Sequence, residues 1–136
     1  MPRTAEDVET YLLSLDRRFD RNGSTFLIQA TGAMIALLVT PPIVALRVTI
    51  GSAPKGDPHE APFFRKLLEL NASDLMHVFY GIDGDTVILS GALELENLDV
   101  NELEAALSDI DLALARHVPT LHDLAGAAGA HAGHGA

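Results

Sequence analysis

The hydrophobic pattern between Thr86 and Leu121 changes its period once, and this change predicts how the chain is organised. In the first part, apolar residues fall at every second position, as on the buried face of a strand. In the second part they recur at spacings of three and four, as on one face of a helix. The pattern therefore predicts a strand from Thr86 to Leu95 and a helix from Val100 to about Leu121. The strand positions are Val87, Leu89, Leu93 and Leu95, and the helix positions are Leu103, Leu107, Ile110, Leu114, Val118 and Leu121.

The same periods predict two helices and four strands in the rest of the chain. The strands are grouped rather than alternating one for one with helices, which is typical of an α+β fold with an antiparallel sheet. The predicted order is α-βββ-α-ββ-α. The further helices are 4–18 and 63–77, and the further strands are 24–30, 34–40, 43–50 and 78–82.

Each of these two helices carries one apolar stripe in the sequence. Asn71 lies within the periodicity of the second stripe. The first stripe is Val8, Tyr11, Leu12, Leu15 and Phe19, and the second is Phe64, Leu67, Leu68 and Leu75.

Short-range signals predict the ends of the helices. Asp99 with Glu102 forms a capping box, and Thr4 with Asp7 forms a similar one. The pair Asn22–Gly23 is predicted to end the first helix. Seven acids and no Lys or Arg lie between Glu94 and Asp111. Apart from the two capping residues, we expect these acids to face solvent.

Two segments lack any period. The stretch 51–62 contains three Pro and two Gly, so it is predicted to be a mobile loop. Residues 126–136 consist of Gly, Ala and His and are predicted to be a disordered tail. The remaining 1–125 are predicted to form a single domain.

Composition narrows the classes of function. Of the 136 residues 48% are apolar, which suffices for a core, and the absence of Cys excludes disulfides and thiolate metal sites. The formal net charge of −10 argues against nucleic acid and against an anionic membrane surface, because both require cations on the protein. A basic or amphipathic segment of a protein is a more suitable partner.

We expect a cytoplasmic protein. The N-terminus carries no hydrophobic region of the signal-peptide kind. The most apolar window, 34–50, is short for a membrane span and is interrupted by Pro41–Pro42.

Two groups of residues are candidates for a reactive site. Glu94, Glu96 and Asp99 include two carboxylates on one strand face, but no nucleophile, His or oxyanion donor accompanies them. His131 and His134 could chelate a divalent metal weakly, whereas a zinc site needs three or four ligands. We therefore predict no catalytic residues, no metal and no cofactor. A metal-dependent enzyme that uses the two tail histidines is the competing hypothesis.

The remaining candidate is a surface. If the strand alternation holds, Leu27, Ala36, Leu38 and Ala45 line the sheet face opposite the core. We interpret them as a contact site for a partner chain, either a second copy or a client. The alternative is that a long helix covers them.

Four stretches carry a resemblance to a known family. They are 67–72 (LLELNA), 80–89 (YGIDGDTVIL), 93–98 (LELENL) and 101–110 (NELEAALSDI). Together with the element order, they resemble the secretion chaperones of the CesT/Tir-chaperone type, and more closely the YbjN-like domains that share that fold. The likeness covers most of the chain from Thr4 to Leu124.

This resemblance implies a small, acidic, cytoplasmic homodimer without enzymatic activity. Family chaperones hold an extended segment of a secreted client without ATP. The alternative that the resemblance implies is a YbjN-like regulatory or structural dimer with no secreted client. The resemblance supplies no catalytic residues to carry over, and neither the 51–62 loop nor the tail belongs to the pattern.

Overall fold

The computed structural model describes residues 2–126, and these form three helices and one sheet of six strands. The α+β class with an antiparallel sheet, predicted from the sequence, is confirmed. The order is α-ββββ-α-ββ-α, with one strand more than predicted before the second helix. The helices are α1 (Ala5–Ser14), α2 (Glu60–Ser73) and α3 (Val100–Leu124), and the strands are β1 (Phe19–Asn22), β2 (Thr25–Ala30), β3 (Ala33–Thr40), β4 (Ile43–Ser52), β5 (Phe79–Asp83) and β6 (Thr86–Glu94).

Neighbouring strands of the sheet run antiparallel throughout, in the order β1-β2-β3-β4-β6-β5. Strands β1 to β4 form a meander, and β5–β6 is a hairpin whose second strand pairs with β4. Helix α2 and the loop before it connect β4 to the far edge strand β5. The two edges of the sheet are therefore β1 and β5.

The core lies on one face of the sheet. Alternate strand residues are buried there together with one face of each helix, and they form a single apolar cluster. Because side chains alternate along a strand, the residues between them point to the opposite face. The strands contribute Phe26, Ile28, Ile35, Leu37, Val44, Leu46, Val48, Val87 and Leu89, and the helices contribute Val8, Leu12, Phe63, Leu67, Leu70, Leu103, Leu107 and Ile110.

Both predicted capping boxes are confirmed. The Asp99 side chain accepts from the Glu102 N–H at 2.9 Å, and the Glu102 carboxylate accepts from the Asp99 N–H at 3.1 Å. Thr4 and Asp7 exchange the same pair of hydrogen bonds at the start of α1. These bonds satisfy backbone donors that the first turn of a helix leaves without partners.

The extra strand is β1, which the sequence pattern had placed at the end of the first helix. Helix α1 ends at Ser14, and Asp16 follows with a φ of 60° that breaks the helical path. Gly23 then forms the β1–β2 turn rather than a helix stop. Arg21, on β1, binds the carboxylates of Glu6 and Glu9 at 2.8 and 2.7 Å.

The apolar stripe predicted for the second helix is also wrong in part. Leu68 is 69% exposed, while Phe63 and Leu70 face the core. On α3 the predicted positions Leu114 and Val118 are only half-buried, and their neighbours Ala113 and His117 are buried instead. Both shifts are rotations of the buried face by about one residue, which a count of apolar positions does not resolve.

Gly91 is the point where the segment between α2 and β5 crosses β6. A Cβ atom placed there would overlap the His77 carbonyl oxygen and lie 3.2 Å from Cα of Val78. Both atoms belong to backbone, which cannot move aside as a flexible side chain does. The crossing therefore requires a residue without a side chain on β6.

Gly91→Ala is predicted to lower the free energy of unfolding by about 1–3 kcal/mol, because it overpacks this crossing. Urea denaturation followed by circular dichroism measures the change. Gly81→Ala is the matched control, since its Cβ would meet only Ile88 at an ordinary 3.8 Å. Equal stability of the two variants would show that the close crossing is not present in solution.

Candidate functional site

The four residues predicted to contact a partner lie together on the sheet face opposite the core. Leu27 pairs with Ala36 across β2 and β3, and Leu38 pairs with Ala45 across β3 and β4. The leucines are 44% and 43% exposed, and the alanines are half-buried. Among residues 2–126, the buried side chains of all three helices belong to the cluster on the other face. Within the described residues, no helix covers these four positions.

The apolar surface extends beyond these four positions, and we call the whole set the open face. Its further apolar members are Met34 on β3, Ile88 on β6 and Phe79 on β5. Met34 is 44% exposed and Phe79 is 46% exposed. The register places Ala36, Arg47, Ser90 and Phe79 in one row across four strands. Met34 continues the alternation of Ala36 and Leu38 on β3, whereas Phe79 could not be placed from the sequence because β5 is too short to show which way its residues alternate.

One ion pair lies within the open face, and two acids lie at its margin. The one basic residue in the row, Arg47, binds the Asp83 carboxylate at 2.5 Å, so its charge is balanced locally. Asp20 and Glu94 are exposed acids on the same face, paired in register with Leu27 and Ile43. The part of the open face on β2, β3 and the start of β4 is therefore apolar, whereas Arg47 and Ser90 separate it from Phe79; its margin is mildly acidic.

A shallow groove of about 710 Å³ lies at the β2–β3 turn, beyond the open face. Its charged lining includes Arg17, which binds Asp111 at 2.6 Å, and Arg18. Six of its nine lining residues are polar or charged, and among them are Asp16, Asp111 and Thr31. The described residues that line it include no His, Lys or Cys, and Asp111 is already paired with Arg17.

His117 on α3 is only 4% exposed, and its ring joins α3 to the end of α2 and to β5. Its Nδ1 lies 2.9 Å from the Tyr80 hydroxyl on β5, and its Nε2 lies 3.0 Å from the Asp74 carboxylate at the end of α2. Burial raises the pKa of Tyr80, so the hydroxyl keeps its proton and can donate to Nδ1. The Nε2 proton then donates to Asp74. The hydrogen bond from His117 is the largest cause that lowers the pKa of Asp74, followed by the one from Ser73.

This chain of hydrogen bonds resembles a catalytic triad in its connectivity but not in its accessibility. Tyr80 is 6% exposed and His117 is 4% exposed, so no substrate reaches either ring in this conformation. We interpret it as a structural link between α3, the end of α2 and β5. Apolar periodicity does not reveal this link, because His117 is polar and lies beside the predicted apolar stripe.

The reactive groups considered from the sequence do not assemble. Asp99 is occupied as a cap, and Glu94 and Glu96 are exposed. Across residues 2–126 no group of three or more His, Asp or Glu side chains has the geometry of a metal site. His131 and His134, and the tail 126–136 beyond its first residue, lie outside the described residues.

Two acids expected to face solvent make specific contacts instead. Asp109 accepts hydrogen bonds from the backbone N–H groups of Met76, His77 and Val78, at 3.0, 2.8 and 3.3 Å. Asp111 binds Arg17. The acidic back of α3 thus fastens the segment that leads into β5.

Comparison with protein families gives one match over nearly the whole chain. The family CesT_Tir_1 matches residues 1–127. No curated protein matches the sequence. Among residues 2–126, no helix is long and apolar enough to cross a membrane.

Solved structures share the fold at low sequence identity. A chain of the heterodimeric ExoU–SpcU complex, from the type III secretion system of Pseudomonas aeruginosa, is 22% identical with a TM-score of 0.67; the match covers 82% of this chain and 95% of that one. The Yersinia pestis type III secretion chaperone SycH, solved with a fragment of YscM2, is 13% identical with a TM-score of 0.60. That match covers 86% of this chain and 98% of the other. YbjN from E. coli is 13% identical with a TM-score of 0.58. The match covers 85% of this chain and 94% of YbjN.

Asp74→Asn is predicted to destabilise the protein at neutral pH and to have little effect in acid. The folded state lowers the pKa of Asp74 below its ordinary value of 3.8, so its contribution is present above that pH and is lost as the pH falls through the folded value. Urea midpoints at pH 7 and pH 3 for wild type and variant measure this. A difference that is the same at both pH values would contradict a hydrogen bond from His117 to an ionised Asp74.

Proposed function

Because the chain belongs to the CesT_Tir_1 family, we propose that it is a non-enzymatic module that holds an extended segment of a partner protein. The observation that carries the proposal is the open face. Its residues on β2, β3 and the start of β4 form an apolar surface, and the helices that would cover it lie on the other side of the sheet. A monomeric soluble protein rarely leaves such a patch without a use.

The shape of the open face suits an extended chain better than a small molecule. It is formed by strand side chains and presents no enclosed cavity, whereas small-molecule sites are concave. An extended segment carries side chains at alternating positions, so one set can pack on Leu27 and Leu38 while the other faces water.

The solved structures that share the fold support a protein partner. Two of them are complexes, one of ExoU with SpcU and one of SycH with a fragment of YscM2. At 22% and 13% identity they show the fold alone, and their partners are their own. The proposal takes from them only that this fold can serve to bind a protein.

The charge of the chain indicates which segments would be preferred. A net charge of −10 attracts cationic partners over distances of about a Debye length, roughly 8–10 Å at moderate salt. The exposed acids Asp20 and Glu94 add to this at the margin of the open face. We therefore propose a segment in which apolar residues alternate with Lys or Arg.

We further propose that the protein is a homodimer, formed through a second apolar surface. Leu68 on α2 is 69% exposed, Met76 in the following segment is 78% exposed, and Ile82 on β5 is 44% exposed. These three residues belong to adjacent elements, since Asn71 of α2 hydrogen-bonds to Tyr80 of β5. A dimer that buries this surface leaves the centre of the open face free for the partner.

A second candidate function is a regulatory or structural dimer whose stable partner is itself. The fold of YbjN from E. coli, with a TM-score of 0.58, favours it as much as it favours a chaperone. In this case no client segment binds, and the open face itself is a candidate for the contact between copies.

The proposed binding site predicts that Leu27→Ser combined with Leu38→Ser weakens binding of a basic extended segment at least about tenfold, because two apolar contacts are lost. The probe is a labelled unstructured peptide of alternating Val and Lys, followed by fluorescence anisotropy. Leu13→Ser is the control, since Leu13 is 61% exposed on α1. A peptide of alternating Val and Glu should bind more weakly. Equal binding by the double variant would rule out the open face as the site.

The proposed dimer predicts a mass in sedimentation equilibrium of twice the 14.5 kDa chain. Leu68→Ser with Met76→Ser should shift the protein to monomer, while the pair of substitutions at Leu27 and Leu38 should leave it dimeric. The converse result would assign the contact between copies to the open face. A strictly monomeric wild type would exclude both forms of dimer.

A further inference from the structure

The two edges of the sheet differ in how their backbone groups are occupied. An edge strand turns every second N–H and C=O outward, where another strand can pair with them. In the β5–β6 hairpin, Asp83 and Thr86 flank a two-residue turn, so these two exchange the ladder hydrogen bonds. It follows that Tyr80 and Ile82 turn their backbone groups outward, and Val78, just before the strand, does the same.

The Asn71 side chain occupies the outward groups of Tyr80. Its Nδ2 donates to the Tyr80 carbonyl oxygen at 3.1 Å, and its Oδ1 accepts from the Tyr80 N–H at 2.7 Å. These are the two hydrogen bonds that a neighbouring strand would make at this position. The amide group of Asn71 thus takes the place of a strand residue.

Asp109 occupies the same edge one step earlier. Its Oδ2 accepts from the Val78 N–H at 3.3 Å and from the His77 N–H at 2.8 Å. Of the outward groups along this edge, the Val78 carbonyl and both groups of Ile82 have no such partner among the described residues. The corresponding groups at the β1 edge, those of Phe19 and Arg21, also have none within residues 2–126. Side-chain closure is therefore a property of β5.

The sequence of this edge explains why closure matters. Residues 77–82, His-Val-Phe-Tyr-Gly-Ile, contain no Lys, Arg, Asp, Glu or Pro. Short segments of high β propensity and low charge stack with identical segments of other copies when their edges are exposed. Phe79 is 46% exposed and Ile82 is 44% exposed, so apolar side chains are already available for such a contact.

We propose that Asn71 and Asp109 close the β5 edge against strand pairing with a second copy of this chain. The two side chains let copies meet through α2 and β5 side chains without extending the sheet from one molecule into the next. This role is independent of the binding of a client. It limits the formation of species larger than the one that the wild-type protein forms.

The test compares Asn71→Ala, Asp109→Ala and their combination with wild type, in salt that screens the net charge of −10. Hydrogen exchange at the Tyr80 amide should become about tenfold faster in Asn71→Ala, because its side-chain acceptor is lost. Asn71→Asp keeps that acceptor and should retain most of the protection. The double variant should form species larger than the wild-type one, with infrared absorption of intermolecular β-sheet.

Loss of stability alone must not produce the same result. Val8→Ala is the destabilised control, because Val8 is fully buried on α1, the helix that leads into β1 at the opposite edge of the sheet. Asp111→Ala removes a neighbouring acid of α3 that binds Arg17 instead. Both controls should keep the wild-type mass below their unfolding midpoints. The proposal is overturned if the double variant keeps that mass, or if Val8→Ala assembles to the same extent.

Discussion

The structure depends on a sheet that is packed on one face only. Antiparallel strands with strictly alternating burial place Phe26, Ile35, Leu46 and Leu89 under the helices and leave the residues between them outside. Because all three helices share one apolar cluster with that face, no helix within residues 2–126 covers the opposite face. Leu27 and its neighbours are exposed for this reason, and the proposed binding function follows from it.

Helix α3 connects the other elements through polar contacts along its length. Its capped start is fixed by Asp99, and its middle binds the entry to β5 through Asp109. Farther along, His117 connects the end of α2 and β5 through Asp74 and Tyr80. The contacts of Asp109 and His117 lie at the β5 side of the sheet. The β1 side is held differently, by Arg21 on the α1 carboxylates.

What the sequence predicted is what short-range physics determines. The capping boxes, the alternation of β4 and β6 and the placement of Leu27 and Ala36 on one face need only nearby residues. The strand at Phe19–Asn22 was not predicted, because four residues are too few to show an alternating pattern. Their extended conformation depends on pairing with β2. The roles of Asn71, Asp109 and His117 depend on contacts with residues distant in sequence, which composition and period do not contain.

The central claim is that the open face, and not the groove at the β2–β3 turn or the surface of α3, holds an extended partner segment. Chemical-shift mapping on the isotope-labelled protein, titrated with a basic extended peptide, tests this most directly. The account predicts perturbed signals in β2, β3 and β4, centred on Leu27, Leu38 and Ala45. Perturbations confined to α3 or to the groove around Arg18, with these strands unchanged, would contradict it.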